Sequence, residues 1–482
     1  MTKKQGISLC VFLSLCAAML LGLSWLLRDR ETSLSSLYSE PENSVDVLIV
    51  GSSHVNSGYI PAVLWQEYGI SAHNVYSWSQ PMWISYHYIR EALKTQSPGV
   101  VVLDLNGMMY GNSVEQPDAT DSVNYANSFT IDPGANFLEM IATVAHCGVD
   151  LRDPIDFLPL IRYHSRWKNL DEHAFTYDPH HDHSALKGYG FQVVQHANIQ
   201  PVFPSLDSAQ PYSAAVEYLD RIVALSEREQ FDLVFVLAPY VYQENEPAIF
   251  AWLADYADAH GIPLLNYCLQ DSQRIGLDWS TDFCDASHVN YVGALKLTRD
   301  LGDHLTAGDY GLRSASALPN SEQLDHDAAC VYRTMDLWEA TQGGPDEFLQ
   351  WVRETGGTLA VAAGGVAYMT DPAALDLLQQ FGFENITCVS TPETSYAAIL
   401  ENGIVTEKID PDGTQAACSD RSGTLSVTST GAVTYGASVQ YGELEAEHSA
   451  NILIYYYDTV LNRPVYRIDI DGNGAFVYTE IV

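Results

Sequence analysis

Basic residues are scarce in this sequence. Lys and Arg number 23 among 482 residues against 61 Asp and Glu, which leaves a formal net charge of −38. A chain so negative repels phosphate backbones, so nucleic acid is excluded as a partner bound by charge. Charged residues of both signs make up only 17%, and apolar residues 47%, which excludes wholesale disorder and provides for real cores. Cysteine is sparse too, with eight in all, and the spacing resembles no zinc site. Cys10 and Cys16 fall in an apolar stretch; Cys147, Cys268, Cys284, Cys330, Cys388 and Cys418 remain to form disulfides, Cys268 with Cys284 being the first pair to consider. There is no internal repeat, no low-complexity tract and no acidic tail. At roughly 150 residues per domain, the length fits two or three domains.

One long apolar run is present. Lys3 and Lys4 precede Ile7 to Leu27, a stretch without a charge, and Arg28, Asp29 and Arg30 follow it. At ~1.5 Å rise per residue such a segment crosses a hydrocarbon core of ~30 Å. Its end, Trp25-Leu26-Leu27, offers no small-x-small cleavage site, and Leu15 argues against a lipoprotein site at Cys16. The expectation is a short cytoplasmic end (1–5), an uncleaved signal anchor (6–27) and a large extracytoplasmic body, that is, a single-pass protein of the cell membrane. A cleaved signal peptide is the alternative. Positive charge on both flanks makes the basic residues a weak guide to orientation.

Residues 28–44, rich in Ser and Glu, read as a linker. The β-branched run Val45 to Val50 then ends at Gly51, the pattern of a buried parallel strand. Similar runs recur at Val100 to Leu105, Leu233 to Leu237 and Ile262 to Leu265. Between them, Ala215, Leu219, Ile222 and Val223, and again Phe250, Leu253 and Tyr256, share a face at helical spacing. Alternating strands and helices predict an α/β domain over 45–305, with ligands at the carboxyl ends of its strands. A second linker is read over 306–326 and a smaller mixed α/β domain over 327–482. Its signals are strand-like runs at Thr358 to Ala363, Thr424 to Thr428, Asn451 to Tyr457 and Val465 to Ile470, and a helix opened by Asp371-Pro372.

Directly after the first strand stands Gly51-Ser52-Ser53-His54; more than two hundred residues later comes Asp285-Ala286-Ser287-His288, followed by Val289-Asn290 and an apolar helix. A serine at a strand-to-helix turn is exposed at the sheet edge, where helix N–H groups meet a developing oxyanion. A serine hydroxyl is a poor nucleophile without a base, and an Asp three residues before a His can hold the imidazole toward it. These blocks together resemble the SGNH/GDSL hydrolase superfamily, over about residues 45–305. The resemblance implies a three-layer, flavodoxin-like parallel-sheet domain and a triad of Ser53, His288 and Asp285. Ser52 stands where the family usually has Asp. In the second block, Asn74 to Gln80, Ser79 or Gln80 takes the place of an oxyanion-hole glycine beside the N–H of Ser53. The third block is degraded to Leu105-Asn106-Gly107-Met108, where Asn106, or Asn112 further on, can supply the missing donor. The departures look like cell-envelope members, including membrane-anchored D-alanyl transfer proteins.

That resemblance implies a serine esterase or O-acyltransferase acting on envelope polysaccharide or teichoic-acid-like glycans through an acyl-Ser53 intermediate. The alternative is a non-catalytic glycan-binding protein on a degenerate form of the fold. In the long insertion, Arg162 to Lys168 is a basic-aromatic cluster in which His164, Arg166 and Trp167 suit sugar and anion binding, though packing within the insertion explains it equally. Asp178-Pro179-His180-His181-Asp182-His183 holds metal-ligand residue types, but nothing in the pattern sets them on one face; neither metal nor cofactor is expected. In the last domain, Phe348-Leu349 through Gly357 to Ala362, Gln380-Phe381-Gly382, Ser395 to Ile399 and Asn451 to Arg463 resemble the interleukin-like epithelial–mesenchymal-transition inducer (ILEI/PANDER) domain, in rotated order. Some relatives bind carbohydrate, which suggests an accessory glycan module; a structural or protein-contact module fits as well, and no protein partner is named by the sequence.

Overall fold

The computed structural model describes residues 3–27, 33–111, 131, 134–147, 164–170, 175, 183–195, 210–364 and, with short gaps, 367–480. Two compact units divide the chain, Met1–Ala328 and Ala329–Val482.

The first unit holds a fully parallel five-stranded sheet: β1 (Val47–Gly51), β2 (Ala72–Tyr76), β3 (Val100–Asp104), β4 (Asp232–Leu237) and β5 (Leu264–Asn266), in the order β2-β1-β3-β4-β5. That is a doubly wound order whose direction of winding reverses between β1 and β3, and a crevice for a ligand opens at the carboxyl ends of those two strands. The hydrophobic runs are buried on both faces. Leu48, Val50, Val101, Leu103, Phe235 and Leu237 share a core with α5 (Met82–Ala92), α7 (Ser213–Glu229) and α8 (Glu246–His260). Val47, Ile49, Val102, Val234 and Val236 alternate with them along the same strands, equally buried. On the β1–β2 side lie α3 (Ser53–Gly58) and α4 (Pro61–Tyr68), against which α10 (Tyr291–Ala307) packs. The expected three-layer α/β architecture is therefore present, with α6 (Ala135–Cys147) against α5 and a short α9 (Gln270–Arg274) after β5.

The apolar run forms α1, Lys3–Leu27, a 25-residue helix. At ~1.5 Å per residue it is longer than a hydrocarbon core. Part of the segment read as a linker behaves otherwise. Ser33–Tyr38 is a helix, α2, whose Leu34 and Leu37 are fully buried in the main core. Two leucines three apart suffice to dock one helical turn, and Ser36 Oγ lies 3.1 Å from His73 Nε2 on β2. The second linker is likewise shortened: α11 begins at Ser321 and runs to Gln342, so the division between the units falls within a helix. Acidic and polar residues on its exposed face hide that helix from a reading of composition. Cys268 and Cys284 are free thiols, Cys268 buried with its Sγ 3.1 Å from Ala238 O.

The second unit is built on a six-stranded antiparallel sheet ordered β15-β14-β13-β6-β7-β8. Its strands are β6 (Thr358–Ala363), β7 (Ser395–Glu401), β8 (Ile404–Asp410), β13 (Ile452–Asp458), β14 (Arg463–Ile470) and β15 (Phe476–Glu480). Along β6, Leu359, Val361 and Ala363 meet Leu337 of α11, Phe348 and Val352 of α12 (Pro345–Thr355) and Leu378 of α13 (Pro372–Gln380). Ala360 and Ala362 face the other way, onto Ala416, Cys418, Leu425 and Val427. Those belong to a four-stranded sheet of β9 (Gln415–Ser419), β10 (Leu425–Thr430), β11 (Ala437–Tyr441) and β12 (Leu444–His448). A small-residue face on β6 and β7 lets the second sheet approach closely. Arg333 of α11 fixes the helix layer: its Nε donates to Asp458 at 2.6 Å and its Nη2 to Tyr456 at 3.1 Å.

Candidate active site

The site is assembled at the carboxyl edge of the parallel sheet, where β1 and β3 diverge. Gly51 closes β1 because nothing larger fits; a Cβ there would lie 2.5 Å from Asp104 Cβ and 2.7 Å from Val55 Cγ2. Ser52 caps α3, its Oγ accepting the His54 N–H, and is itself buried. Ser53 opens the helix, so its backbone N–H has no partner one turn back.

The distant loop reaches it. His288 Nε2 lies 2.8 Å from Ser53 Oγ, across 235 residues of chain. His288 Nδ1 lies 2.9 and 3.0 Å from the two oxygens of Asp285. Asp285 also accepts the backbone N–H groups of Ser287 at 2.7 Å and His288 at 2.8 Å, so the three-residue spacing makes a closed turn around the carboxylate. Partial burial opposes the charge on Asp285, but hydrogen bonds from His288 and Ser287 outweigh it and hold its pKa below the ordinary carboxylate value. The loop is fixed at both ends: Ala286 O accepts the Val241 N–H at 2.8 Å, and Asn290 caps α10 through the N–H groups of Val292 and Gly293.

Beneath this triad lies a layer that the motifs did not reveal. Asp104, the last residue of β3, is fully buried, and burial pushes its pKa up to about 6 in spite of backbone N–H donors from Asn106, Ala238 and Ser52. Its carboxylate thus joins the ends of β1, β3 and β4 under the serine. His54 lies with Nδ1 3.9 Å from Asp104 Oδ2, stacked on Tyr240 at 5.2 Å and edge-on to His288 at 5.4 Å. Burial, and then the charge of His288, pull its pKa down to about 3, so it is neutral at physiological pH. The sequence carried one signal for Asp104, a lone acid ending the apolar run Val100 to Leu103, and held His54 in the block after β1 without a role for it; for Tyr240 it carried none.

The oxyanion-hole candidates are placed unequally. Asn106 is buried, with Oδ1 3.4 Å from Ser52 Oγ, beside the turn that carries Ser53. Ser79 is exposed and holds φ +50, the left-handed geometry for which glycine is the usual residue. Gln80 is buried and its side chain ties the loop to α5, accepting from Ser77 and donating to Ser85; its backbone N–H is the candidate donor to an oxyanion. Gly107 packs this loop against the turn after β3, since a Cβ there would meet Gln80 O at 2.8 Å. Asn112 lies outside the described residues.

Of the proposed substrate-binding cluster, His164–Asn169 forms a turn of 3-10 helix with Trp167 exposed, and the side chain of His164 lies outside the described residues. Of the Asp/His run, residues 178–182 lie outside the described residues, and His183 pairs with Asp327 at 2.8 Å. Among the described residues there is no cluster of ligands for a metal ion. A strap over 183–195 lies against the site instead. Asn74 N–H donates to Lys187 O at 3.0 Å, Gly190 N–H to Asn56 O at 2.8 Å and Tyr291 N–H to Gln192 O at 2.8 Å.

Compared with known proteins, the chain matches no family model and no curated protein. Among solved structures it is similar to a protein from Desulfitobacterium hafniense assigned to the G-D-S-L family of lipolytic proteins, at 11% identity and TM-score 0.27, over 54% of this chain and 98% of that one. It is similar also to a protein from Bacteroides fragilis assigned as an acylhydrolase, at 12% identity and TM-score 0.27, over 57% of this chain and 96% of that one. Likenesses of that size say nothing about chemistry, which rests on the Ser53–His288–Asp285 geometry alone.

Proposed function

We propose that this protein is a membrane-tethered, extracytoplasmic serine esterase or O-acyltransferase of the SGNH type, acting on acyl esters of cell-envelope glycans. The observation that carries the reading is the 2.8 Å approach of His288 Nε2 to Ser53 Oγ with Asp285 behind the imidazole. His288 takes the Ser53 proton as Oγ attacks the ester carbonyl, and Asp285 stabilises the resulting imidazolium. Negative charge moves to the carbonyl oxygen, where the backbone N–H of Ser53, the Asn106 amide and a backbone N–H of Ser79 or Gln80 receive it. The tetrahedral adduct collapses, His288 returns the proton to the departing alkoxide, and an acyl-Ser53 ester remains. Water or a glycan hydroxyl, deprotonated by His288, attacks that ester and regenerates the serine. Hydrolysis and transfer differ only in this second nucleophile. The apolar helix α1 supports membrane attachment, and the acidic body that follows it is most simply placed outside the cytoplasm.

A serine-reactive fluorophosphonate tests the reading directly. The wild type is expected to label, and Ser53→Ala and His288→Ala to lose labelling together with esterase turnover by several orders of magnitude, leaving about 10³–10⁴-fold over water from binding and the oxyanion hole. Labelling that persists in Ser53→Ala removes the reading. Product analysis with and without a glycan acceptor then separates hydrolysis from transfer.

A further inference from the structure

The chain coming from α1 is pinned at the same edge of the sheet as the catalytic serine. Ser33, the first residue of α2, donates its Oγ to Tyr76 O at 2.7 Å and accepts the Tyr76 N–H at 2.8 Å. Tyr76 ends β2 and stands in register with Gly51 at the end of β1, two residues before Ser53. In a parallel sheet all carboxyl ends lie along one edge, so the attachment point and the chemistry are neighbours and not at opposite poles of the domain. The helix α1 ends at Leu27, and six peptide steps to Ser33 span at most about 22 Å. Adding one hydrogen-bonded pair, one strand spacing and two residues puts Ser53 within about 40 Å of the end of α1, even with the chain fully extended. A unit of roughly 300 residues is itself about 50 Å across.

An aromatic residue lies on that same edge. Trp78, two residues past Tyr76, is 56% exposed and stands edge-on to the Tyr76 ring at 5.8 Å. The left-handed turn at Ser79 fixes the loop that presents it. Indole rings favour the headgroup level of a bilayer, where an apolar body and a polar N–H are both satisfied. The net charge of −38 excludes attraction to anionic lipid as the driving force, which leaves apolar contact.

We propose that the mouth of the site faces the protein's own membrane, with Trp78 seated in the bilayer interface, and that the acyl ester it takes is borne by a membrane-anchored amphiphile such as a lipid-linked glycan. The proposal rests on the Ser53 reading for the ester and on the tether geometry for the orientation. A bilayer held this close supplies substrate by lateral diffusion in two dimensions, so the site needs no high affinity for a soluble chain.

Full-length protein in phosphatidylcholine vesicles tests it, with two esters: a soluble aryl acetate and an acetylated glycolipid in the same vesicles. Trp fluorescence quenching by brominated phosphatidylcholine gives an orientation readout independent of catalysis. Wild type should be quenched more than Trp78→Phe, by the share of one interfacial indole, and the difference should survive high salt. A 40-residue Gly/Ser spacer inserted after Arg30 should cut glycolipid turnover about tenfold and leave aryl acetate turnover within about twofold. Equal quenching in wild type and Trp78→Phe, or glycolipid turnover unmoved by the spacer, overturns the proposal. Failure of the wild type on the aryl acetate strikes the Ser53 chemistry instead, and the quenching comparison still decides the orientation.

Discussion

Asp104 shows how a single side chain can serve a site and burden the fold. Its pKa, raised by burial to about 6 from the ordinary carboxylate value of 3.8, means that the folded state resists ionising it. A carboxyl with a raised folded pKa contributes stability that is fully present below pH 3.8 and lost as pH rises through 6. At neutral pH its charge therefore costs about 3 kcal/mol relative to the protonated form. What the charge supplies in return is an acceptor for the backbone N–H groups of Ser52, Asn106 and Ala238, the turns that hold Ser53, the proposed nucleophile, and the candidate oxyanion donor. Asp104→Asn keeps the shape and removes the charge. The difference in Tm between variant and wild type should rise between about pH 4 and pH 7.5, while esterase turnover at the upper pH falls by about 10²-fold, the cost of a small misplacement of reacting groups. The other groups that feel the Asp104 charge or face it, namely His54, Tyr59, Tyr110, Tyr240 and Cys268, do not gain or lose a proton between pH 6 and 7.5, so the upper part of that trend belongs to Asp104. The Ser and Asp-x-x-His halves were legible in the sequence because each is a local turn with its own hydrogen bonds. Asp104, His54 and Tyr240 were not, because their roles come from three strands meeting in space and leave no spacing to read.

Among the elements, the strap over 183–195 carries the most consequence for its size. It crosses the first unit at Asn74 of β2, Asn56 of α3 and Tyr291 of α10, with Asn56 both accepting the Gly190 N–H and donating its side-chain amide to Gly188 O. Gly188 sits at φ +80 with the ideal Cβ position only 2.2 Å from Asn74 O, a backbone atom that cannot move aside. Gly188→Ala combines a disfavoured dihedral with a clash and should cost about 2–4 kcal/mol, measured as a lower urea midpoint with an unchanged m-value. Limited proteolysis within 183–195 should accelerate in parallel. The parallel strands were readable because a strand buried on both faces is a continuous apolar run, and β1, β3 and β4 stand close to where the sequence places them. The strap was obscured by its polar composition, its hold on the fold combining backbone hydrogen bonds that any sequence can make with a buried pairing of Lys187 to Glu40 and Asp327, residues far away in the chain. The helix α2 was missed for a related reason: Ser-rich composition suggests a tether, yet the hydroxyls of Ser33 and Ser36 are what bind it to β2. Strands β7, β8 and β9 were also passed over; β8 has no fully buried residue to mark a core face, and the apolar face of β9 is two residues wide.

On the scale of the whole chain, the boundary between the units decides what a truncation removes. The triad, the Asp104 layer and the strap all belong to Met1–Ala328, while α11 continues past that point into the second unit. The first turns of α11 are not a spacer. Lys187, its side chain 4% exposed, is paired with Glu40 and lies 3.0 Å from Asp327 Oδ2; His183 and Gln323 reach the other oxygen of Asp327, and Asn320 donates to Glu40. Burial works against the charge of Asp327, but His183 and Lys187 together bring its pKa down to about 2, so Asp327 keeps its charge at any physiological pH. A chain ended after Tyr332 keeps this cluster intact and should retain aryl-ester turnover close to that of the full protein. A chain ended after Pro319, only thirteen residues shorter, loses Asn320, Gln323 and Asp327, leaving Lys187 buried with one acid where it had two. Removing one member of a buried ionic group typically costs 3–5 kcal/mol, because the remaining charge stays desolvated. Since domains are stable by only about 5–15 kcal/mol, the shorter chain should unfold at a much lower urea concentration and lose turnover with it. Lys187→Met added to the shorter chain should then recover part of the loss by removing the stranded charge, and a variant no more stable than its parent would show that Lys187 was never the weak point.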